Sequence, residues 1–128
     1  MIVEERIYRI RNGGMSQYLN LVRTEGLAIQ QPILGHLVGY FTTEIGVLSQ
    51  VTHLWAYPSL DERARRRAQL AQDKRWQAFI PRLSEWIETA ENRILVPTDF
   101  SPLMAFAPQT APARASLDSS DFKEIRRD

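Results

Sequence analysis

Cysteine is absent from this chain of 128 residues, and histidine occurs only twice. The absence of cysteine excludes a disulfide framework, a thiol nucleophile and a thiolate metal site. The two histidines, His36 and His53, do not have the spacing from one another or from acidic residues that is typical of a metal site. We therefore expect no metal ion and no other cofactor.

A charge excess of one sign and long apolar runs are also missing. Sixteen basic residues stand against fifteen acidic ones, a formal net charge of +1, which gives no overall field for nucleic acid or a membrane surface. No apolar run approaches the roughly 18–20 residues that span a bilayer. The N-terminus enters a strand pattern at once, without a basic and then apolar signal. We expect a cytoplasmic location, with neither a nucleic-acid nor a membrane partner.

The composition is otherwise that of an ordinary globular protein, with 44% hydrophobic and 24% charged residues. Residues 1–103 carry the periodic patterns and predict one folded domain. This length is enough for a hydrophobic core without disulfide bonds or a structural metal. Residues 104–128 predict a tail that is partly docked. The apolar run at residues 100–106 is expected to fold back, because free apolar side chains are penalised in water, whereas residues 110–119 are expected to stay mobile.

Alternating side chains predict four strands. Residues 2–11 form the first, which places Glu4, Arg6 and Tyr8 on one face, and it ends in a glycine turn. Residues 37–57 contain two runs rich in β-branched and aromatic residues on either side of a short joint, which predicts an antiparallel hairpin. Residues 86–96 again have the residue types of a strand, and Pro97 ends it.

Two stretches have helical spacing instead. Apolar residues recur every three to four positions from Met15, which predicts a helix through residue 31 that Pro32 ends. Ser59 and Glu62 have the spacing of a capping box, which begins a second helical region. Asp73 resembles another N-cap, so a break is expected there, followed by a segment that ends at Pro81 or soon after. The aromatic residues of that segment, Trp76 and Phe79, are interpreted as core.

The resulting order is strand, helix, strand, strand, helix, strand. It predicts an α+β, ferredoxin-like βαββαβ fold, with a four-stranded antiparallel sheet and both helices on one face. The third strand carries apolar side chains on both faces, so the sheet face without helices must be covered by other protein. In a chain this short, we expect that cover to be another copy, which predicts a homodimer.

An ordered series of motifs resembles the NIPSNAP family. It comprises Glu-Arg-Ile-Tyr at residues 5–8, Tyr-Leu at 18–19 on the first helix, Gly-Tyr-Phe-Thr-Thr-Glu-Ile-Gly at 39–46, His-Leu-Trp-Ala-Tyr at 53–57, Glu-Asn-Arg-Ile-Leu at 91–95 and Phe-Ser-Pro-Leu at 100–103. The resemblance covers about residues 2–103, and it departs at Asn12-Gly13, where members usually carry Pro-Gly. It implies a dimeric α+β barrel. The wider superfamily includes cofactor-free monooxygenases, isomerases, haem enzymes and ligand binders, whereas NIPSNAP proteins themselves have no agreed activity.

The candidate site residues come from the first three strands. Arg6 is a candidate holder of a carboxylate or enolate, Tyr8 a candidate acid, and His53 a candidate base, since its reference pKa is about 6.5. Each also has a structural interpretation: an ion pair that fixes register, or a satisfied strand histidine. The candidate ligand-binding residues are Glu4, Tyr40, Trp55 and Tyr57. Arginines 63, 65, 66 and 67 are interpreted as a solvated helix face.

Two functions remain open at this stage. The first is a homodimeric domain that binds a small hydrophobic or aromatic molecule, or acts as a scaffold. The second is a cofactor-free monooxygenase or isomerase acting on a small aromatic or enolisable substrate. Catalysis requires His53, Tyr8 and Arg6 to converge on one cavity, whereas a structural role would leave them paired and sealed.

Overall fold

A computed structural model describes residues 1–103, which form one sheet with a layer of helices on one face. The elements in chain order are β1 (Ile2–Ile10), α1 (Met15–Leu21), a π-helical turn (Val22–Gly26), α2 (Leu27–Leu34), β2 (His36–Thr42), β3 (Gln50–Tyr57), α3 (Leu60–Gln72), α4 (Lys74–Ser84) and β4 (Ile87–Leu95). This order confirms the predicted βαββαβ fold. None of the helices in this range is long and apolar enough to cross a bilayer.

The sheet is antiparallel throughout, with strand order β2-β3-β1-β4. In β1 and β3, Glu4 lies opposite Trp55 and Arg6 lies opposite His53. In β2 and β3, Tyr40 lies opposite His53. Directly opposite residues share a face of the sheet, so this register gathers the predicted site residues on the face that the helices cover.

Two groups of buried side chains fill the space between sheet and helices. The first joins β1 and β3 to the first and last helices: Ile10, Tyr18, Val22, Val51, Phe79 and Leu83. The second lies toward the other end of the sheet: Ile33, Leu34, Trp55, Tyr57 and Leu70. Both groups lie on the helix side of the sheet, with the polar site residues between them, whereas Val3, Ile7 and Ala56 are buried on the opposite face.

The first helical region does not end where the sequence predicts. The prediction that Pro32 ends it is wrong, because α2 continues through Pro32 to Leu34. Proline lacks a backbone donor and crowds the carbonyl four residues before it, but here the helix runs only two residues beyond Pro32, so the cost falls in its last turn. Gly35 ends the helix instead: it adopts φ 98°, and its N–H donates to the Gln31 carbonyl over 2.9 Å.

The second helical region begins and breaks at the predicted residues. The Ser59 hydroxyl accepts from the Glu62 N–H over 3.1 Å, and the Asp73 carboxylate accepts from the N–H groups of Arg75 and Trp76. Two caps in succession divide the region into α3 and α4. The α4 helix passes through Pro81 and ends at Ser84, as the sequence predicts.

The sheet face opposite the helices carries apolar side chains and a segment that follows β4. Residues 97–103 pass beside this face, where Pro97, Ser101 and Leu103 line a depression with Val3, Val38, Leu54, Leu95 and Val96. Phe100 itself points away and is 83% exposed. Met104, Phe106 and residues 110–119 lie outside the described residues, so the division at residue 103 and the docking of the tail stay predictions.

We expect Gly35→Ala to destabilise the fold by about 3 kcal/mol, more than Gly13→Ala, for which about 1 kcal/mol is expected. Both glycines have positive φ, 98° and 80°. A Cβ at Gly13 meets nothing within 4 Å, whereas one at Gly35 collides with the Arg66 guanidinium. That guanidinium donates to the Leu34 carbonyl over 3.0 Å. Urea denaturation measures both variants, and equal losses would contradict the role of the Arg66 contact.

Candidate functional site

A cavity of about 350 Å³ lies between the sheet and the helices. Its sheet wall is polar and consists of Arg6, Tyr8, Tyr40 and His53, whereas its helix wall is mostly apolar. The helix-wall residues are Tyr18, Val22, Gly26, Gln30, Arg67, Trp76, Phe79, Ile80, Leu83 and Ser84, and Ile87 and Ala90 of β4 complete the lining. The volume is in the usual range of small-molecule sites, roughly 300–1,000 Å³.

The π-helical turn shapes one side of this cavity. It supplies Val22 and Gly26 to the lining. A Cβ on Gly26 would lie 3.1 Å from the Phe79 ring, so the glycine allows that ring to approach the helix backbone closely. Single π turns inside α-helices are frequent at functional sites, and here the turn borders the cavity.

His53 is held as a neutral imidazole of defined tautomer. Its Nδ1 accepts a hydrogen bond from the Trp55 indole N–H over 2.8 Å. An indole nitrogen can only donate, so Nδ1 must carry the lone pair and Nε2 must carry the proton. Nε2 is buried without a hydrogen-bond partner in the described part of the chain. His53 thus presents a donor, and the base role expected from the sequence has no free lone pair to use.

Burial, and after it the neighbouring Arg6 cation, lower the pKa of the His53 side chain to about 3. The ring is 1% exposed. It stacks on Tyr40 with centroids 4.4 Å apart and meets the edge of Tyr8 at 5.0 Å. The packing fixes the ring plane, so its Nε2–H group has a set direction.

Arg6 connects the cavity to a buried ionic network. Its Nε donates to the Tyr8 hydroxyl over 2.8 Å, and its Nη1 donates to Glu4 Oε2 over 2.9 Å. Because the Tyr8 oxygen accepts from Arg6, its own proton is free to be donated elsewhere. Arg6 therefore orients Tyr8 as a donor, and the role of Tyr8 as an acid stays a prediction.

Glu4 is the centre of that network. Its Oε2 also accepts from Arg63 over 2.7 Å and from Asn92 over 2.8 Å. Burial by itself raises the pKa of this carboxyl, but the hydrogen bonds from Arg63 and Asn92 and the charge of Arg6 outweigh it and lower the pKa to about 2. Glu4 is fully buried and stays ionised, tying β1 to α3 and β4.

Two tyrosines form a second polar contact across the cavity. The Tyr18 hydroxyl of α1 and the Tyr40 hydroxyl of β2 share a hydrogen bond. Burial raises the pKa of both phenols above the ordinary value of 10, so both remain protonated. The pair links the helix layer to the sheet beside His53.

The interpretation of the arginines on α3 as a solvated face is wrong for three of the four. Arg63 donates to the buried Glu4, Arg66 is buried and donates to the Leu34 carbonyl, and Arg67 lines the cavity. Only Arg65 lies on the outside, paired with Glu62. For Arg63 and Arg67 the physical reason is the buried carboxylate of Glu4 beneath α3, since an ionised group in a core requires cationic partners. Arg66 instead caps the end of α2 through the Leu34 carbonyl and pairs with Glu62.

The structure divides the predicted site residues into two sets. Arg6, Tyr8, Tyr40 and His53 line the cavity together. The other three, Glu4, Trp55 and Tyr57, are fully buried and lie behind it. Trp55 orients His53, and burial raises the pKa of the Tyr57 hydroxyl to about 12. Within residues 1–103, no three His, Asp or Glu side chains come together as a candidate metal site.

Sequence reasoning missed several lining residues. The sequence pattern predicts that Trp76 and Phe79 belong to the core, and they do pack there, but both also line the cavity. Tyr18 is also in the core, and the sequence pattern predicts that Arg67 is solvated. One signal was available for Arg67: it follows Arg63 by four residues, so both lie on the same face of α3.

Comparisons with known proteins agree on one family. The sequence model of the NIPSNAP family matches residues 3–102. The chain is 32% identical over 102 residues to Protein NipSnap homolog 3B of Mus musculus, which covers 80% of this chain and 41% of that protein. The chain spans less than half the length of the curated relatives it matches.

Solved structures extend the likeness to the fold. A NIPSNAP family protein from Agrobacterium tumefaciens is 72% identical with a TM-score of 0.79, covering 80% of this chain and 97% of that chain. An antibiotic biosynthesis monooxygenase has a TM-score of 0.53, covering 77% of this chain and 99% of that chain. At 10% identity, this second likeness shows a shared fold and nothing more.

The His53 environment predicts a specific loss of stability at acidic pH. The pKa of His53 is about 3 when folded and near 6.5 when unfolded. Between these values the unfolded chain binds a proton that the folded chain does not. The stabilisation is therefore complete above pH 6.5 and declines as the pH falls toward 3. We expect the free energy of unfolding to fall by roughly 2.6 kcal/mol between pH 7.5 and 4.5 because of this group.

The matched variant is His53→Gln, whose amide can also accept from Trp55 but does not titrate. Urea denaturation of both proteins across this pH range, at one protein concentration, measures the two slopes. The difference between the curves isolates His53, because every other titrating group is shared. Parallel curves would contradict the buried, neutral state of this histidine.

Proposed function

The chain belongs to the NIPSNAP family, and we propose that it is a small-molecule-binding domain that holds a small aromatic or apolar ligand between its sheet and its helices. The observation that supports this proposal is the cavity of about 350 Å³ with donors on one wall and aromatic rings on the other. Mostly apolar cavities with a few converging polar groups are the usual form of ligand sites. A purely structural core would close such a space, because interiors pack to crystal-like density.

The two walls favour a flat ligand with one polar end. Trp76, Phe79 and Ile80 offer an apolar surface, and ring stacking against such residues adds about 0.5–1.5 kcal/mol beyond area burial. Tyr8 and His53 offer hydrogen-bond donors on the opposite wall. A planar molecule with one polar end can therefore contact both walls at once. A fully polar ligand would gain little from the aromatic wall.

An enzyme is the second candidate, and it is favoured by the convergence of Arg6, Tyr8 and His53 on one cavity. Three donors around a developing oxyanion would stabilise an enolate or a phenolate, as an isomerase or a cofactor-free monooxygenase requires. A base is harder to find. No carboxylate is among the described residues that line the cavity, and His53 Nδ1 is already occupied by Trp55. Binding therefore has the stronger support.

The second part of the proposal is that two copies associate through the sheet face opposite the helices. Leu54 and Leu95 give this face an apolar character, and Phe41 is 53% exposed in the single chain. Glu5 and Arg93 form an ion pair on the same face over 3.0 Å. A face of this composition favours a stable dimer with an interface toward the large, obligate class, roughly 2,000 Å² of total buried surface or more, over exposure to water.

The ligand proposal is tested with a screen of small aromatic compounds by thermal shift. We expect Ala90→Leu to weaken binding of any hit at least tenfold, because Ala90 lines the cavity and the larger side chain enters it. Ala78→Leu is the matched control, since Ala78 is exposed on α4 and does not line the cavity. Hits that bind both variants equally would locate binding elsewhere and contradict the proposal.

The dimer proposal is tested with light scattering at micromolar concentration. We expect the unmodified chain and Leu60→Lys to be dimers and Phe41→Lys to shift toward the monomer. Both residues are similarly exposed, 53% for Phe41 and 55% for Leu60, but Leu60 belongs to the helix layer. A monomeric unmodified chain, or equal effects of both substitutions, would refute this choice of interface.

A further inference from the structure

Two buried polar atoms on the cavity wall have no hydrogen-bond partner. In the described part of the chain, six side chains contain a buried nitrogen or oxygen with none, and two of these side chains also line the cavity: His53, through Nε2, and Arg67, through Nη1. Buried polar groups without partners are costly, about 1–3 kcal/mol each and more when charged. These two atoms therefore require an occupant of the cavity or a trapped water.

Both atoms are hydrogen-bond donors. A guanidinium nitrogen can only donate, and His53 Nε2 carries the proton because Nδ1 accepts from Trp55. An occupant that satisfies both must present acceptors. Among the described residues that line the cavity, these two donors lack a partner and no buried acceptor does; the acceptor Glu4 Oε1, which also lacks one, lies behind the lining. The two lining donors indicate the polarity of the missing group.

The charges around the cavity indicate the sign of that group. Three guanidinium groups, those of Arg6, Arg63 and Arg67, lie around the single carboxylate of Glu4. Arg6 and Arg63 donate directly to Glu4, whereas Arg67 acts on it through its charge alone. His53 adds no charge, since its pKa is about 3. The network thus holds more positive than negative charge, and a partly buried cation is stable only with an anionic partner.

We propose that Arg67 and His53 form an anion subsite that binds the carboxylate of a small aromatic acid, with the ring of the acid against Trp76 and Phe79. Arg67 supplies the charge, and the His53 Nε2–H group supplies a directed hydrogen bond. This inference rests on the proposed ligand-binding function and narrows its ligand to an aromatic carboxylate. Glu4 lies behind the wall and keeps Arg6 and Arg63 occupied, so it leaves Arg67 to the ligand.

The test compares acids with amides of the same shape: benzoate with benzamide, phenylacetate with phenylacetamide, and indole-3-acetate with indole-3-acetamide. Isothermal titration measures each pair on the unmodified chain. We expect at least one acid to bind, and to bind at least tenfold more tightly than its amide. We expect Arg67→Gln to remove that preference and to leave the affinity of the amide within twofold.

Two further variants guard against misfolding and general charge effects. Arg67→Lys keeps the cation and should retain most of the preference for the acid, and the retained affinity of Arg67→Gln for the amide shows that its loss of preference does not come from unfolding. Arg65→Gln changes an exposed arginine of the same helix and should leave both affinities unchanged. A loss of preference in Arg65→Gln would reduce the effect to the overall charge of the helix and overturn the subsite.

The outcomes separate this inference from the proposed function. Acids and amides that bind equally well, and lose affinity in Ala90→Leu, would overturn the anion subsite but preserve ligand binding in the cavity. Water would then be the partner of Arg67 and His53. Failure of every acid and every amide to bind would overturn both proposals.

Discussion

The ionised carboxylate of Glu4, buried beneath the helices, is the interaction that orders the rest of the site. One of its oxygens accepts from Arg6, Arg63 and Asn92, groups that come from β1, α3 and β4. A charge in a core is tolerated only when its partners are held in place, so this carboxylate fixes how α3 lies over the sheet. Removing one partner of such a group typically costs about 3–5 kcal/mol. The cavity thus borders a rigid ionic centre.

The polarity of the cavity follows from that centre. Glu4 holds Arg6, and Arg6 in turn donates to the Tyr8 oxygen, which turns the phenol proton outward. On the neighbouring strand, Trp55 imposes the tautomer of His53 in the same way. Each donor at the wall is therefore oriented by a residue behind it, so the wall presents hydrogen-bond donors. Glu4 and Trp55, which the sequence predicts to contact a ligand, therefore lie behind the cavity wall and orient the residues that line it.

Much of the fold could be predicted because it is encoded locally. Alternation located the strands, and the side chains of Ser59 and Asp73 located the helix starts, since a cap is made within three residues of its own position. The arginines of α3 could not be predicted in this way. Arg63 and Glu4 are 59 positions apart, and a charged helix face has the same pattern whether water or a buried carboxylate lies beneath it. The tautomer of His53 likewise depends on a contact that only the pleat of β3 creates.

The π-helical turn at Val22–Gly26 constrains the number of residues in the first helical region. A π turn contains one residue more than an α turn, and each residue rotates an α-helix by about 100°. Deleting one residue there would restore a regular α-helix. It would also rotate α1 by about 100° relative to α2 and turn Tyr18 away from Tyr40. The joint at residues 43–49 has no such constraint, because its side chains are mostly exposed. Among related sequences, a change of length in the joint alters a surface, whereas a change of length in the helix alters the shape of the cavity.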